Sequence, residues 1–222
     1  MRGYYDLSIK PATYDFWVWL VICKTKGVTE VVFDVSKGFQ TKKFDKKTAI
    51  RMYENVLIPM CEVIGMKWSQ GTDGDICPGY KHCDALDNLP LDIPQFQLSD
   101  GPPTVTIRES IRNKHRDSSH DWRVFAEEIG AVVIEDAYKV PISFEDRMKL
   151  YTNSRVNYFN SNGCGVPCLY SNIPVVFFSP ESARGTWNTD EGEQFPWFNE
   201  KQKIVWENDT LKAMRREHAV YS

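Results

Sequence analysis

Arg108, Arg112, Lys114, His115 and Arg116 crowd the stretch between a short β-branched run, "TVTI", and a Ser118-Ser119-His120-Asp121-Trp122 that reads as a helix start. Planar guanidinium groups grip phosphate oxygens bidentately, and a helix start adds partial positive charge at the same spot. The chemistry such a loop suits is binding of a diphosphate. A solvated basic turn is the bland alternative. Position argues for the anion site: Arg108 is the first residue off an apolar strand, where a charge needs a partner or a ligand. Ser118 or Ser119 would cap the helix that Trp122 and Phe125 anchor.

Two further strand ends carry groups of the same kind. "AVVIED" ends in Glu135-Asp136, where a carboxylate can take ribose hydroxyls, or where an acidic surface turn would equally sit. "SNGCGVPCLYSNIPVVFF" sets Asn162-Gly163 after a short strand and before a small-residue helix, a structural turn or a loop that lets backbone approach a ligand.

These residues need a scaffold of alternating strands and helices. Strands are expected at "YYDLSI" and "VTEVVFDV", and helices at "TYDFWVWLVICKTKG" and "DKKTAIRMYENVLIPMCEVIGM", the second opened by Asp45. That β-α-β-α order implies a parallel sheet. From Lys67 to Pro103 periodicity fades into a Gly-, Pro- and Asp-rich stretch, read as a linker or surface loop. A second alternating unit follows: strand "TVTI", helix "SSHDWRVFAEEIG", strand "AVVIED", helix "SFEDRMKLYTNS", strand "RVNYFN", turn or short helix "CGVPCLYSN", strand "PVVFF". A tail ends in a helix. The expected organisation is a small α/β lobe with its linker over residues 1–100 and a second α/β lobe over residues 101–222.

Composition sets the outer bounds. With 42% hydrophobic and 26% charged residues the chain can build a real core, and its formal charge, 27 − 30 = −3, argues against a broad nucleic-acid-binding surface. The apolar run Phe16–Cys23 falls far short of the roughly 20 residues that span a bilayer, and no basic, cleavable leader precedes it, so a soluble cytoplasmic protein is expected. Six cysteines in a chain of this length do not read as a disulfide framework. Cys77, His82 and Cys83 are a candidate metal site, but their spacing is not that of a zinc knuckle, and reduced loop thiols are expected.

The order "TVTIRES…R…SSHDW…FAEEIGAVVIED" followed by "FEDRMKLYTNSRVNYFNSNGCGVPCLYSNIPVVFF" resembles the C-terminal half of a GT-B glycosyltransferase of the heptosyltransferase-like nucleotide-sugar transferase group, over about residues 104–209. The resemblance implies an α/β fold of Rossmann-like parallel sheets in two lobes, reduced in size because the chain is short for that family. It implies that Arg108, Arg112 and Arg116, with Ser119 at the helix start, hold a donor pyrophosphate, that Glu135 faces the nucleoside, and that Ser161, Asn162 and Gly163 sit by the sugar. Enzymes of this kind need no metal or cofactor; the nucleotide sugar is a substrate, and a carboxylate deprotonates the acceptor hydroxyl. Asp15 is the choice for that base, against its plainer reading as a helix N-terminal acid.

Asp73-Gly74-Asp75 matches the Asp-x-Asp of metal-dependent GT-A enzymes, but no strand precedes it, and it is read as a turn. The expected function is therefore metal-independent transfer of a sugar from a nucleotide sugar to an unidentified hydroxyl acceptor. A non-catalytic protein that senses or sequesters a nucleotide or phosphometabolite is the alternative. A partner-binding protein using Trp187, Trp197 and Trp206 is a third reading.

Overall fold

The computed structural model describes residues 1–42, 45–107, 119–135, 142–179 and 194–221. The chain divides into two compact α/β units, one of residues Met1–Pro94 with Ile142–Asp146, the other of Gln95–Pro141 with Arg147–Ser222. Each is built on its own wholly parallel sheet, as the alternating pattern requires.

In the first unit, β1 (Arg2–Asp6), β2 (Glu30–Asp34) and β3 (Lys67–Gln70) lie in that order, with Asp6 in register with Asp34. α1 (Phe16–Thr25) joins β1 to β2, and every residue from Phe16 to Cys23 is buried. Its packing is close: a Cβ on Gly3 would stand 2.8 Å from the Trp19 ring, so glycine lets β1 approach the helix. α2 (Lys46–Met52) starts at Asp45, whose carboxylate accepts from Thr48 N–H at 2.7 Å. It runs through a π-helical turn, Tyr53–Leu57, into α3 (Ile58–Val63). Beyond β3 the chain returns to the far side of β1, where Ile76 bridges Gly3 in parallel, and α4 (His82–Leu86) follows.

The second unit holds β4 (Thr104–Ile107), β5 (Val132–Glu135), β6 (Asn157–Asn160), β7 (Val175–Phe178) and β8 (Gln202–Val205), in the order β5-β4-β6-β7-β8. Its inner strands β4, β6 and β7 are buried at every residue, the continuous burial of a sheet covered on both faces. One face packs Val105, Ile107, Tyr158, Val176, Phe178 and Val205 against Trp122, Phe125 and Ala126 of α5 (Ser119–Glu128) and Ala213 and Met214 of the last helix, Leu211–His218. On the other, Tyr151 of α6 (Phe144–Thr152) meets Phe159 edge-on at 5.3 Å. α7 (Val166–Leu169) follows β6, and Leu211–His218 is α8. Among the described residues no helix is long and apolar enough to cross a membrane.

Three elements fall where the sequence reads as loop or tail: β3 and α4 in the Lys67–Pro103 stretch, and β8 in the tail. β3 carries little apolar content because it is an edge strand whose residues are mostly exposed.

Candidate functional site: the carboxyl edges of two parallel sheets

In an open parallel sheet, ligands lie beyond the carboxyl ends of the strands, where the strand order reverses. In the second unit the chain goes from β4 to β5 on one side, then crosses to β6 on the other, so the reversal falls between β4 and β6. Thr104 faces Asn157 and Thr106 faces Phe159, which brings the ends of these strands, Ile107 and Asn160, to the same edge. The segments that leave β4, β5 and β7 at this edge, 108–118, 136–141 and 180–193, lie outside the described residues. Arg108, Arg112 and Arg116 are therefore not described, nor is the side chain of Ser119, the first residue of α5.

The segment after β6 is described, and it is polar and buried. Asn160, Ser161 and Asn162 are each at most 5% exposed. Asn162 is extended, and its Oδ1 accepts the Cys164 N–H at 2.9 Å, which starts the turn Gly163–Gly165; its Nδ2 donates to Asn160 Oδ1 at 2.7 Å. A Cβ on Gly165 would stand 2.7 Å from Phe177 and 2.9 Å from Phe159, so only glycine lets this turn lie against the sheet. From the helix side, Tyr151 hydroxyl donates to Cys164 C=O at 3.2 Å and accepts from Arg147 Nη1 at 2.9 Å; Arg147 and Tyr151 are both fully buried. Burial pushes the Tyr151 phenol well up, so it stays a neutral hydroxyl.

On the sheet face that carries Phe159, Thr106 Oγ1 is buried without a hydrogen-bond partner among the described residues. Ser161, 5% exposed, is the first residue beyond β6. Glu135 ends β5 one strand away, half exposed, and takes Arg123 Nη1 at 2.9 Å in a surface ion pair. The structure thus brings Ser161, Asn162 and Gly163 to the reversal point and sets Glu135 beside it, already shared with an arginine.

The first unit has its own reversal, between β1 and the Ile76 bridge, and Asp15 sits there. It precedes α1 yet makes no capping bond to the helix; its Oδ2 accepts from Thr13 Oγ1 at 3.1 Å instead. The chain after Ile76 runs along the outer side of β1, held by Lys10 Nζ donating to Pro78 C=O at 2.6 Å, and enters α4 at His82. Burial drives the His82 imidazole down to about 4, against the opposing pull of the Asp15 carboxylate. His82 is therefore neutral at pH 7. Among the described residues no three His, Cys, Asp or Glu side chains gather to hold a metal ion. Asp73 and Asp75 engage Arg2 instead: Asp75 Oδ2 accepts the Arg2 N–H at 2.7 Å and Asp73 lies 3.6 Å from its guanidinium.

One constellation escaped the sequence reading. Asp6 and Asp34 end adjacent strands in register, about 4.8 Å apart along the ladder. Each Oδ1 accepts both the N–H, at 2.9 Å, and the hydroxyl, at 2.6 Å, of the serine two residues on, Ser8 or Ser36. Asp34 Oδ2 also accepts the Tyr4 hydroxyl at 2.6 Å, and Lys37 lies 3.7 Å from Asp6. The Ser36 hydroxyl, then Tyr4, hold the Asp34 carboxyl down to about 2, while the bond to Asp34 raises the Tyr4 phenol. The signal was there, in the repeat of "YYDLS" by "VFDVS".

Trp197 is half-buried, stacked on Phe195 at 4.5 Å and bonded through Nε1 to Leu169 C=O, which gives it a packing role; Trp187 lies outside the described residues. No protein-family model, curated protein or solved structure matches the chain.

Proposed function

We propose that the chain is a metal-independent glycosyltransferase whose second unit holds the diphosphate of a nucleotide-sugar donor at the β4/β6 reversal. What carries the reading is the pairing of that reversal with the buried, polar Asn160–Ser161–Asn162 run immediately after β6. Ser161 brings a hydroxyl and Gly163 an approachable backbone; by sequence Arg108 is the first residue beyond β4. The start of α5, a helix of ten residues that follows the arginine-bearing segment, adds partial positive charge for a departing diphosphate. Arg112 and Arg116 add further guanidinium groups, and Glu135 takes the nucleoside side.

In the transfer, the acceptor oxygen bonds to the anomeric carbon as the bond from that carbon to the diphosphate oxygen breaks, and the electron pair leaves with the diphosphate. The acceptor proton passes to a carboxylate, for which Asp15 is the candidate. No cofactor takes part; donor and acceptor are both substrates. A cytoplasmic setting belongs to the same proposal and rests on the six free cysteines.

The test is turnover. The protein is offered UDP-, GDP- and ADP-linked hexoses with mixed hydroxyl acceptors, and release of nucleoside diphosphate is followed for wild type and Asp15→Asn. Release that falls by roughly 10²–10⁴-fold in the variant, with donor affinity retained, supports the assignment. Binding without release in the wild type would replace the enzyme with a nucleotide-binding sensor, and a fully active Asp15→Asn would move the base elsewhere.

A further inference from the structure

Tyr151 of α6 lies along β6 from the strand's first residue to the turn beyond its last. Its backbone C=O accepts from Asn157 Nδ2 at 3.0 Å, while Asn157 Oδ1 takes the Thr104 hydroxyl of β4. Its ring meets Phe159 edge-on at 5.3 Å. Its hydroxyl reaches past the strand end and donates to Cys164 C=O at 3.2 Å. Arg147, one helical turn earlier on α6, donates to that hydroxyl through Nη1 at 2.9 Å. Every one of these residues is buried, Tyr151 and Arg147 completely. The turn is also tied from within: Asn162 Oδ1 accepts the Cys164 N–H and Asn162 C=O the Gly165 N–H, at 2.9 and 3.3 Å.

Packing alone does not ask for a hydroxyl here. A phenylalanine would meet Phe159 equally well, and a buried hydroxyl or guanidinium costs stability unless it is hydrogen-bonded. The chain buries both and spends one Arg147 donor on the Tyr151 oxygen. A hydroxyl that accepts on one side directs its single proton to the other, so the guanidinium aims the phenol at Cys164. Burial keeps that proton in place at physiological pH. We infer that Tyr151 is a positioning residue for the diphosphate site: its hydroxyl, oriented by Arg147, holds Cys164 C=O toward α6 and so fixes the Ser161–Gly163 backbone on which the anion lies. The inference rests on the reading of the β4/β6 edge as a diphosphate site, and it extends that site to two side chains that touch no ligand. Tyr151 moves no proton in this scheme; it sets where the turn stands.

Two substitutions that each remove one buried phenolic hydroxyl test it. Tyr151→Phe takes the donor from Cys164 C=O. Tyr158→Phe is the control: Tyr158 lies on the opposite face of the sheet, and its hydroxyl stands 2.7 Å from His218 Nδ1. Both variants should melt a few degrees below wild type. Only Tyr151→Phe should loosen the turn, so that amide hydrogen exchange followed by NMR speeds up at Cys164 and Gly165 about tenfold more than at Phe177, whose exchange reports global unfolding. Calorimetric titration with UDP, GDP and ADP, well below each melting point, should show about tenfold weaker binding to Tyr151→Phe and wild-type affinity in Tyr158→Phe. Exchange at Cys164 and Gly165 that rises no more than at Phe177 overturns the positioning role without any ligand. A wild type that binds and a Tyr151→Phe that binds equally well overturn this inference alone. An equal loss in both variants does the same, since it marks a general effect of lower stability. A wild type that binds none of the three nucleotides removes the diphosphate reading and this inference with it.

Discussion

Asn162 separates what the β6 turn does for folding from what it does for a ligand. Replacing it by alanine removes the acceptor of the Cys164 N–H, at 2.9 Å, and the donor to Asn160 Oδ1, at 2.7 Å, in a position that is 3% exposed. A buried amide left unsatisfied costs about 1–3 kcal/mol, and for a chain of this size each kcal/mol moves Tm by roughly 2–4 °C. Asn162→Ala is therefore expected to melt about 2–12 °C lower. Asn162→Asp keeps an oxygen for the Cys164 N–H, and the Asn160 amide can turn to donate to the other, so its Tm should fall less. It sets a negative charge beside the proposed diphosphate site, however. Repulsion of about 1.4 kcal/mol weakens binding tenfold, and two unit charges 4 Å apart repel by about 1 kcal/mol in bulk water and about 4 kcal/mol at an effective dielectric of about 20. The assay is a melting curve and a calorimetric titration with UDP, GDP and ADP for wild type and both variants. Unchanged melting of Asn162→Ala would refute the capping role. Asn162→Asp that binds a nucleoside diphosphate as wild type does would remove the anion from this edge.

Further outcomes follow from other positions. Gly165→Ala drives a methyl into Phe159 and Phe177, rings that cannot yield, and should lower stability by about 1–3 kcal/mol in urea denaturation. Burial lowers the His82 imidazole from 6.5 to about 4, so the unfolded chain binds the proton first; this contribution is complete above about pH 6.5 and is lost as pH falls toward 4. At about 1.4 kcal/mol per pH unit it is on the order of 3 kcal/mol, and His82→Gln should flatten the stability profile over that range. Asp34, lowered by Ser36 and Tyr4, stabilises above its unfolded value near 3.8 and loses that contribution as pH falls to about 2, so Asp34→Asn should blunt acid unfolding below pH 4.

Much of this fold could be read from the residues. The inner strands "TVTI", "NYFN" and "VVFF" are short apolar or aromatic runs because both faces are covered, and the capped Asp45 and the amphipathic spacing of α5 marked their helices. What was not legible had weak local signals. β3, "KWSQ", is an exposed edge held by its ladder to β2, and α4 is five residues inside a loop-like composition, positioned by Asp84 and Lys10 across distances in sequence that no window captures. The same holds for the site. The β6 turn could be found from Asn162-Gly163, but its place at a strand reversal depends on β6 returning to the far side of β4, which is a property of the whole sheet.

The central claim is that the β4/β6 edge of the second unit holds the diphosphate of a nucleotide. Calorimetric titration of UDP, GDP and ADP into wild type, Arg108→Ala and Ser161→Ala tests it most directly. At least one diphosphate should bind the wild type. Arg108→Ala should weaken it by about 1.5–3 kcal/mol, roughly 10- to 100-fold or more, and Ser161→Ala by about 0.5–1.5 kcal/mol, as a charged and a neutral hydrogen bond are lost. Binding of none of the three, or equal binding by wild type and both variants, would contradict the account.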